Sequence, residues 1–368
     1  MDASQAPLSG AAAQIVDALL PFIAQDGCTD AQFDAMALRL FAHQYANNEP
    51  FRRFCQGRGA TPRKVKSWRD IPAVPINGFK DLLLSCQPPE TCQRVFMTSG
   101  TTRGDVKGRN WHPTLDVWNA SFRGNFASRF MRGTRRLRMG ILFPSERVMG
   151  NSSLAHYLQY AVEQFGSEGS AHFVGPQGLD GGGMRAALVA AERSGEPYAL
   201  LGATYSFVHL MDELKAAGQR FRLPPGSRIL DTGGYKGQSR TLELDDFYAA
   251  LSSTFGVPRE LCINMYGMTE LSSQFYDDGN AVVPSVKSGP HWIRSRIVDP
   301  MSGRDVPAGE KGVLVHCDLA SFNSVTTILT EDVGVAVEGG FLLLGRAEGA
   351  QARGCSLAVQ EFLQAARA

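Results

Sequence analysis

The chain has 368 residues, 43% hydrophobic, 20% charged and 9% aromatic, an ordinary globular profile that excludes a disordered protein. With 37 Lys plus Arg against 36 Asp plus Glu, the formal charge is +1, so no global field favours nucleic acid or an anionic membrane, and partners must be recognised locally. The length suits one large α/β domain, with or without a small appendage.

The first segment, MDASQAPLSGAAAQIVDALLPFIAQDG, is apolar in parts, but it lacks a basic leader region and is interrupted by Gln14, Asp17 and Asp26. It predicts neither a signal peptide nor a membrane span. From Gln14 to about Arg58 the apolar spacing is helical, with Ile15, Leu19, Leu20 and Ile23 followed by Phe33, Met36, Leu38, Leu40 and Phe41. Ser67 to Ser85 carries two prolines and a short helical pattern, which reads as a connector crossing the surface between layers. After a polar loop at residues 97–108, strand and helix alternate. LDVWNASFRGNFASRFM is helical, RLRMGILFPS a strand, SSLAHYLQYAVEQFG helical, HFVG a strand and MRAALVAAERSG helical. YALLGATYSF is a strand entering a polar turn, FVHLMDELKAAG is helical, and SRILDTGGYKG is a strand ending in a glycine pair. LDDFYAALSSTFG is helical, and LCINMYGMTEL is a strand that breaks into a loop. This order predicts layered sheets with helices between them and functional loops at the carboxyl ends of strands.

Beyond about Gly289 the pattern changes to short strands with hairpin turns: HWIRSRIVDP, GVLVHCDLA and VAVEGGFLLLGR. SLAVQEFLQAARA predicts one terminal helix, with Leu357, Phe362 and Leu363 available to pack. Seven cysteines, at 28, 55, 86, 92, 262, 317 and 355, include no CxxC pair, and no histidine has zinc-finger spacing. A reducing, cytoplasmic setting fits this usage.

Three clusters carry candidate chemistry. MTSGTTRGDVKG, Met97 to Gly108, offers open backbone N–H groups at Gly100 and Gly104, hydroxyls at Thr98, Ser99, Thr101 and Thr102, and the cations Arg103, Lys107 and Arg109 nearby. That chemistry suits a triphosphate or pyrophosphate, although neither a Walker loop nor a dinucleotide fingerprint is present; Ser, Thr and Gly equally dominate loops that bind nothing. NMYGMTE sets Tyr266, Gly267, Thr269 and Glu270 where a strand gives out: an aromatic face for a base, a hydroxyl for phosphate and a carboxylate for Mg²⁺ beside phosphate oxygens. Its plain alternative is a strand-end turn. TEDVGVAVEGGFLLLGR has Asp332 after one strand and Arg346 after the next, and a carboxylate there suits the two hydroxyls of a ribose. A simple hairpin remains the alternative.

TSGTTRG, DTGGYKG with YGMTE, and TEDVG with GFLLLGR, in that order, resemble the signature series of the acyl-adenylate-forming superfamily, whose members activate carboxylates with ATP. Within it the chain is similar to the LuxE-like acyl-protein synthetases, through IPAVPINGFK, FMTSGTTRG, FPSERVMGNSSL, DTGGYKG and GRAEGAQARGCSL, over nearly its whole length. The resemblance implies an α/β fold, the layered αβαβα large domain of that superfamily, with a β-rich C-terminal section. Residues 1–346 would form this catalytic domain behind a helical lead-in over 1–66, and 347–368 a short tail carrying Cys355. It also implies ATP and Mg²⁺ as cofactors. Thr98 to Gly104 would hold the β- and γ-phosphates, Gly233 and Gly234 would line the adenine pocket, and Tyr266 would pack on adenine. Thr269 and Glu270 would position the α-phosphate and Mg²⁺, and Asp332 and Arg346 would contact ribose.

Most superfamily members continue for about a hundred residues past the matching Arg-Gly pair, the scale of a small domain, into a mobile domain whose lysine stabilises adenylation. This chain reaches only Ala368. The charge on the transferring phosphate is then expected from Lys236 first and Arg103 second, or from a partner protein, with a solvated loop cation as the alternative role for each. Cys355 follows Gly354, lies near Arg353 and precedes the expected terminal helix, a setting that lowers a thiol pKa. The family carries an acyl group on a cysteine near the C-terminus, and Cys355 matches by position; a small buried residue is the plain alternative. His112 is a further candidate for substrate binding.

The expected activity is formation of acyl-AMP from a carboxylic, fatty, acid and ATP, then transfer to Cys355 as a thioester for delivery to a partner acyl reductase. Transfer to coenzyme A or another small acceptor is the alternative, as is a catalytically reduced nucleotide-binding scaffold. GATYSF, Gly202 to Phe207, is a candidate wall of the acid pocket.

Overall fold

The computed structural model describes residues 8, 10–99, 106–235 and 237–367. The chain forms two compact units: one from Met1–Gly124, Met268–Ser273 and Ser288–Ala368, the other from Asn125–Gly267 and Gln274–Lys287.

The first unit opens with the helices Gly10–Ile23, Asp30–Asn47 and Glu49–Gly57. Thr29 starts the second through a capping box with Gln32, and the Asn48 side chain caps the third, which has Pro50 in its first turn. The sheet of this unit runs in the antiparallel order Ile293–Val298, Lys311–Asp318, Thr327–Val337, Gly340–Arg346. The supposed connector is not a surface crossing. Val74 and Pro75 pair in parallel with Ile328 and Leu329, and Ile71, Val74, Phe79 and Leu84 are all buried. The apolar positions between the two prolines are satisfied by the sheet, which a local reading of proline as a breaker does not reveal. The four-residue helix Gly78–Asp81 follows, and Arg94–Met97 pairs with Arg109–His112 as a separate two-stranded ribbon.

The terminal helix spans Gly349–Arg367, seven residues longer at its start than SLAVQEFLQAARA suggests. It packs on Glu49–Gly57, Val74–Pro75 and Gly78–Asp81. Phe362 is its anchor: fully buried, edge-on to Phe54 with centroids 4.8 Å apart, and so close to Gly78 that a methyl there would overlap the ring. Leu357, expected to pack, is 50% exposed.

In the second unit the strands are ordered Phe275–Tyr276, Cys262–Tyr266, Arg228–Thr232, Tyr198–Ala203, Arg138–Pro144, Ala171–Gly175, Gly178–Leu179. The five inner strands are parallel and the two edges antiparallel. Tyr198–Ala203 and Arg228–Thr232 are buried at every residue, as central parallel strands covered on both faces must be. Gly202 lets that strand lie against Leu142, since a Cβ would stand 2.7 Å from the Leu142 carbonyl oxygen. The helix Gly181–Ser194 is capped by Asp180 and stopped by left-handed Gly195; Leu244–Phe255 is stopped likewise by Gly256. No polar turn follows Ala203: the strand passes directly into the helix Thr204–Ala216.

Candidate adenylate-forming site

In the first unit the ribbon Arg94–Met97/Arg109–His112 forms the stem of the polar loop. The Thr98 N–H donates to the Gly108 carbonyl at 3.0 Å, and the Gly108 N–H donates to Thr98 Oγ1 at 2.9 Å. This reciprocal pair closes the stem where the loop begins. Ser99, Lys107 and Arg109 are exposed, while Gly100, Thr101, Thr102, Arg103 and Gly104 lie outside the described residues. Lys236 lies outside them as well.

Glu270 meets this stem. A methyl at Gly108 would stand 3.1 Å from Thr98 Cγ2, 3.3 Å from Glu270 Oε1 and 3.6 Å from Phe79 Cβ. The segment around Glu270 is held from both sides. Asn110 Nδ2 donates to the Thr269 carbonyl at 3.0 Å, and Asp318 accepts from the Ser272 and Ser273 N–H groups at 2.8 and 2.9 Å and from Ser273 Oγ at 2.7 Å. Glu270 is 4% exposed, and burial pushes its carboxyl up to about 7; its backbone N–H, Lys80 and Arg346 oppose that shift, while Asp332 adds to it. The Glu270 carboxylate, Thr98, Lys80, Asp332 and Arg346 therefore act on one locality.

Asp332 does not follow a strand. It sits within Thr327–Val337, opposite Arg346 on the next strand, with Arg346 Nη1 3.4 Å from Asp332 Oδ1. The polar run TED is carried inside the strand because its neighbours bond it: the Asp332 N–H donates to Thr330 Oγ1, Glu331 pairs with Arg346, and Asn77 donates to Glu331. Asp332 is largely covered, whereas the Arg346 side chain is 57% exposed.

Cys355 requires a correction. It is the seventh residue of the terminal helix rather than its lead-in, and it is 4% exposed, packed with Val298, Val313, Val315 and Leu329. Burial raises its thiol to about 11, with Glu331 adding and Arg346 opposing. The reason is helix length: Gly349 to Arg353 already forms the first turn, so the partial positive charge of the terminus falls before the cysteine. Its Sγ lies 3.8 Å from the Thr330 carbonyl.

In the second unit the glycine pair follows Arg228–Thr232. Gly233 has φ 75°, a left-handed conformation that favours glycine, and is exposed; Gly234 is half-buried. The strand ends behind them are fixed by polar bonds. Thr232 Oγ1 donates to the Met265 carbonyl at 2.8 Å, and the buried Asp231 accepts from Thr204 Oγ1, Tyr248 OH and Asn264 Nδ2 at 3.0, 3.0 and 2.9 Å. Burial raises the Asp231 carboxyl to about 6. Tyr266, the last residue of its strand, is 9% exposed with its ring 5.8 Å from Phe275, and Gly267 beyond it is exposed.

Among the described residues no group of three or more His, Cys, Asp or Glu side chains is arranged for a metal ion. Glu270 alone suits Mg²⁺ only with phosphate oxygens completing the shell, which is how Mg²⁺ is commonly held at nucleotide sites.

Residues 185–364 match the family described as acyl-protein synthetase, LuxE. The long-chain-fatty-acid–luciferin-component ligase of Vibrio harveyi is 24% identical over 302 residues, covering 81% of this chain and 77% of that protein. The chain is thus similar to the LuxE acyl-protein synthetases. The corresponding ligase of Aliivibrio fischeri is also 24% identical, over 83% of this chain and 79% of that protein. Among solved structures, an open conformation of 2-hydroxyisobutyryl-CoA ligase, in complex with 2-HIB-AMP and CoA, superposes with a TM-score of 0.64. Identity is 15%, and coverage is 86% of this chain and 69% of that one. ATP-bound MatB from Rhodopseudomonas palustris gives a TM-score of 0.51 at 18% identity, over 71% and 49%. The fold is that of the adenylate-forming enzymes.

Three side chains escaped the sequence. Lys80 is the last residue of IPAVPINGFK, a stretch notable only for resemblance; its signal was a cation just behind the buried Phe79. Asp318 and Asp231 carried a weaker signal, a carboxylate inside or at the end of an otherwise apolar strand.

Proposed function

We propose that this protein joins a carboxylic acid, a fatty acid by analogy with its relatives, to ATP, giving acyl-AMP and pyrophosphate. The observation that carries the proposal is the buried Glu270 carboxyl held against the Thr98–Gly108 stem under the influence of Lys80, Asp332 and Arg346. An ionisable acid with no solvent and a raised pKa is costly to the fold, and such groups concentrate where a ligand is to be handled. In the reaction a carboxylate oxygen of the acid attacks the α-phosphorus of ATP and the bond to the β-phosphate oxygen breaks, releasing pyrophosphate. Thr98 would hold phosphate oxygens at the loop base. Lys80 and Arg346 would offset their negative charge, and Asp332 would accept the ribose hydroxyls. Glu270, with phosphate oxygens, would hold Mg²⁺, which when bound supplies charge neutralisation on the phosphates.

In the second step the acyl group passes to a thiol. Cys355 is the proposed acceptor: its sulfur bonds the acyl carbon, AMP leaves, and the thiol proton ends on the released phosphate or solvent. The thioester would then serve a partner acyl reductase. The burial of Cys355 and its pKa of about 11 favour a second reading, transfer to coenzyme A or another small thiol or amine. ATP–pyrophosphate exchange across fatty, short-chain and aryl acids, followed by intact-protein mass spectrometry, tests both. Exchange with an acyl adduct that disappears in Cys355→Ser supports the first; exchange without an adduct supports the second. Nucleotide binding without exchange for any acid would overturn both in favour of a scaffold.

A further inference from the structure

In the second unit a cavity of about 370 Å³ opens between the chain leading into Arg138–Pro144 and the end of the helix Ser153–Phe165. Its volume is at the small end of ligand sites, roughly 300–1,000 Å³. We propose that this cavity binds a compact phosphate monoester carrying an apolar group, a ligand separate from the acid and from ATP. The proposal does not depend on the adenylation proposed above.

Charge is the first observation. Arginine stands at 129, 132, 135, 136 and 138. Arg129 and Arg132 are paired with Asp278, at 3.2 and 3.8 Å. Among the described residues Arg135, Arg136 and Arg138 meet no carboxylate, and Arg135 makes no hydrogen bond at all. Arg135 and Arg136 are exposed and line the cavity. Arg136 Nη1 donates to the Gly166 carbonyl at 2.6 Å, which orients the guanidinium and leaves its other N–H groups for an anion. Two unneutralised cations at one opening favour a dianion, and the guanidinium fork matches phosphate oxygens.

The frame is the second observation. The π-helical turn Ala127–Met131 ends in two left-handed residues, Arg132 at φ 47° and Gly133 at φ 84°. A side-chain-bearing residue holds that conformation only where its surroundings impose it. Here they do: the buried Arg228 donates from Nη1 to the Phe130 and Met131 carbonyls at 2.7 and 2.8 Å, and from Nη2 to Thr134 Oγ1 at 3.3 Å. Burial lowers the Arg228 pKa and Arg132 adds to the shift, as an already positive locality does. The facing wall is joined by the Leu137 N–H, which donates to the Phe165 carbonyl at 2.9 Å. The buried Met131 and the half-buried Ala127 and Phe165 give the cavity an apolar side, which a ligand's apolar group would cover.

Position separates this site from the glycine turn. Arg228 opens the strand Arg228–Thr232, and Gly233 follows its other end, about 16 Å away at 3.3 Å per residue. One small ligand cannot touch both.

Isothermal titration calorimetry of the full-length protein with phenyl phosphate, inorganic phosphate and phenol supplies the test. Phenyl phosphate should bind about tenfold more tightly than inorganic phosphate, through the apolar side, and phenol should give no signal. Arg135→Gln, which removes no contact of the fold, should weaken phenyl phosphate about tenfold. Gln164→Glu, which sets a carboxylate at the cavity, should weaken it by a similar factor. Arg193→Gln, at an exposed arginine of the helix Gly181–Ser194, should change nothing. Equal affinity in Arg135→Gln, Gln164→Glu and the unaltered protein would put the phosphate elsewhere and overturn the assignment. Absence of binding by both phosphates would overturn it as well. So would binding of an oligoglutamate peptide in place of phenyl phosphate, which would make the arginines a docking surface for an acidic protein.

Discussion

Replacing Glu270 with Gln is expected to strengthen the fold and silence the site, and the size of the first effect follows from the structure. The Glu270 carboxyl titrates at about 7 in the folded chain, against an ordinary value of 4.5, chiefly through burial. Between those two values the folded state retains a proton that the unfolded chain has already lost. Stability contributed by the neutral acid is therefore complete below pH 4.5, falls as pH rises, and is gone above about pH 7. At 1.36 kcal/mol per pH unit, the whole interval amounts to about 3 kcal/mol. Gln keeps the shape and cannot ionise, so it should match the unaltered protein near pH 4.5 and exceed it by up to about 3 kcal/mol at pH 8. At an unfolding entropy near 2.1 cal/mol/K per residue, a chain of 368 residues loses about 0.8 kcal/mol per degree at its midpoint, so the gap at pH 8 is about 4 °C. Scanning calorimetry of both proteins at pH 5 and pH 8 reads this directly, and the same variant should lose ATP–pyrophosphate exchange by at least a hundredfold at pH 8. A difference in midpoint that stays constant between the two pH values would refute the coupling of burial to ionisation.

Three further outcomes are expected. Gly108→Ala pushes a methyl to 3.1 Å from Thr98 Cγ2 and 3.3 Å from Glu270 Oε1, so exchange should fall about tenfold with a change of under about 1 kcal/mol in stability; full exchange would show that the stem is not part of the site. Phe362→Ala removes the buried anchor of the terminal helix and should cost about 3–5 kcal/mol, seen as a lower midpoint in urea and as faster amide exchange across Gly349–Arg367. Iodoacetamide should modify Cys355 at least a hundredfold more slowly in the native protein than in urea at pH 8, because burial holds its thiol at about 11; peptide mass mapping reads the rate, and equal rates would refute the burial.

Much of the second unit was legible from periodicity alone. Its inner strands are apolar runs, and its helices begin and end on Asp180, Gly195, Ser152 and Gly256, residues whose local chemistry announces a boundary. What escaped depended on distant partners. Ile71 to Pro75 looked like surface because its prolines were visible and the pairing of Val74 and Pro75 with Ile328 and Leu329 was not. The hydroxyl of Thr204 suggested a turn, yet it is satisfied by Asp231, which lets the helix start at once. Asp332 suggested a strand end because a carboxylate inside a strand needs a partner, and that partner, Arg346, is fourteen residues away. Cys355 was placed ahead of the terminal helix, yet Gly354 before it already lies within that helix, buried against Pro300, where a Cβ would stand 2.8 Å from its ring. Of the candidate site, Thr98, Glu270, Asp332 and Arg346 were named from sequence and share one locality, whereas Lys80 came to notice only through its effect on Glu270.

The seating of Phe362 on Gly78 has a practical side. That glycine opens the short helix bearing Lys80, so the carboxyl-terminal helix and a cation of the proposed nucleotide site rest on one four-residue element. A bulky fusion that tugs this last helix outward would loosen the footing of Lys80 while leaving the polar loop untouched. Purification handles for this protein therefore belong at the amino end, and a loss of activity after carboxyl-terminal tagging would report on that shared footing rather than on misfolding.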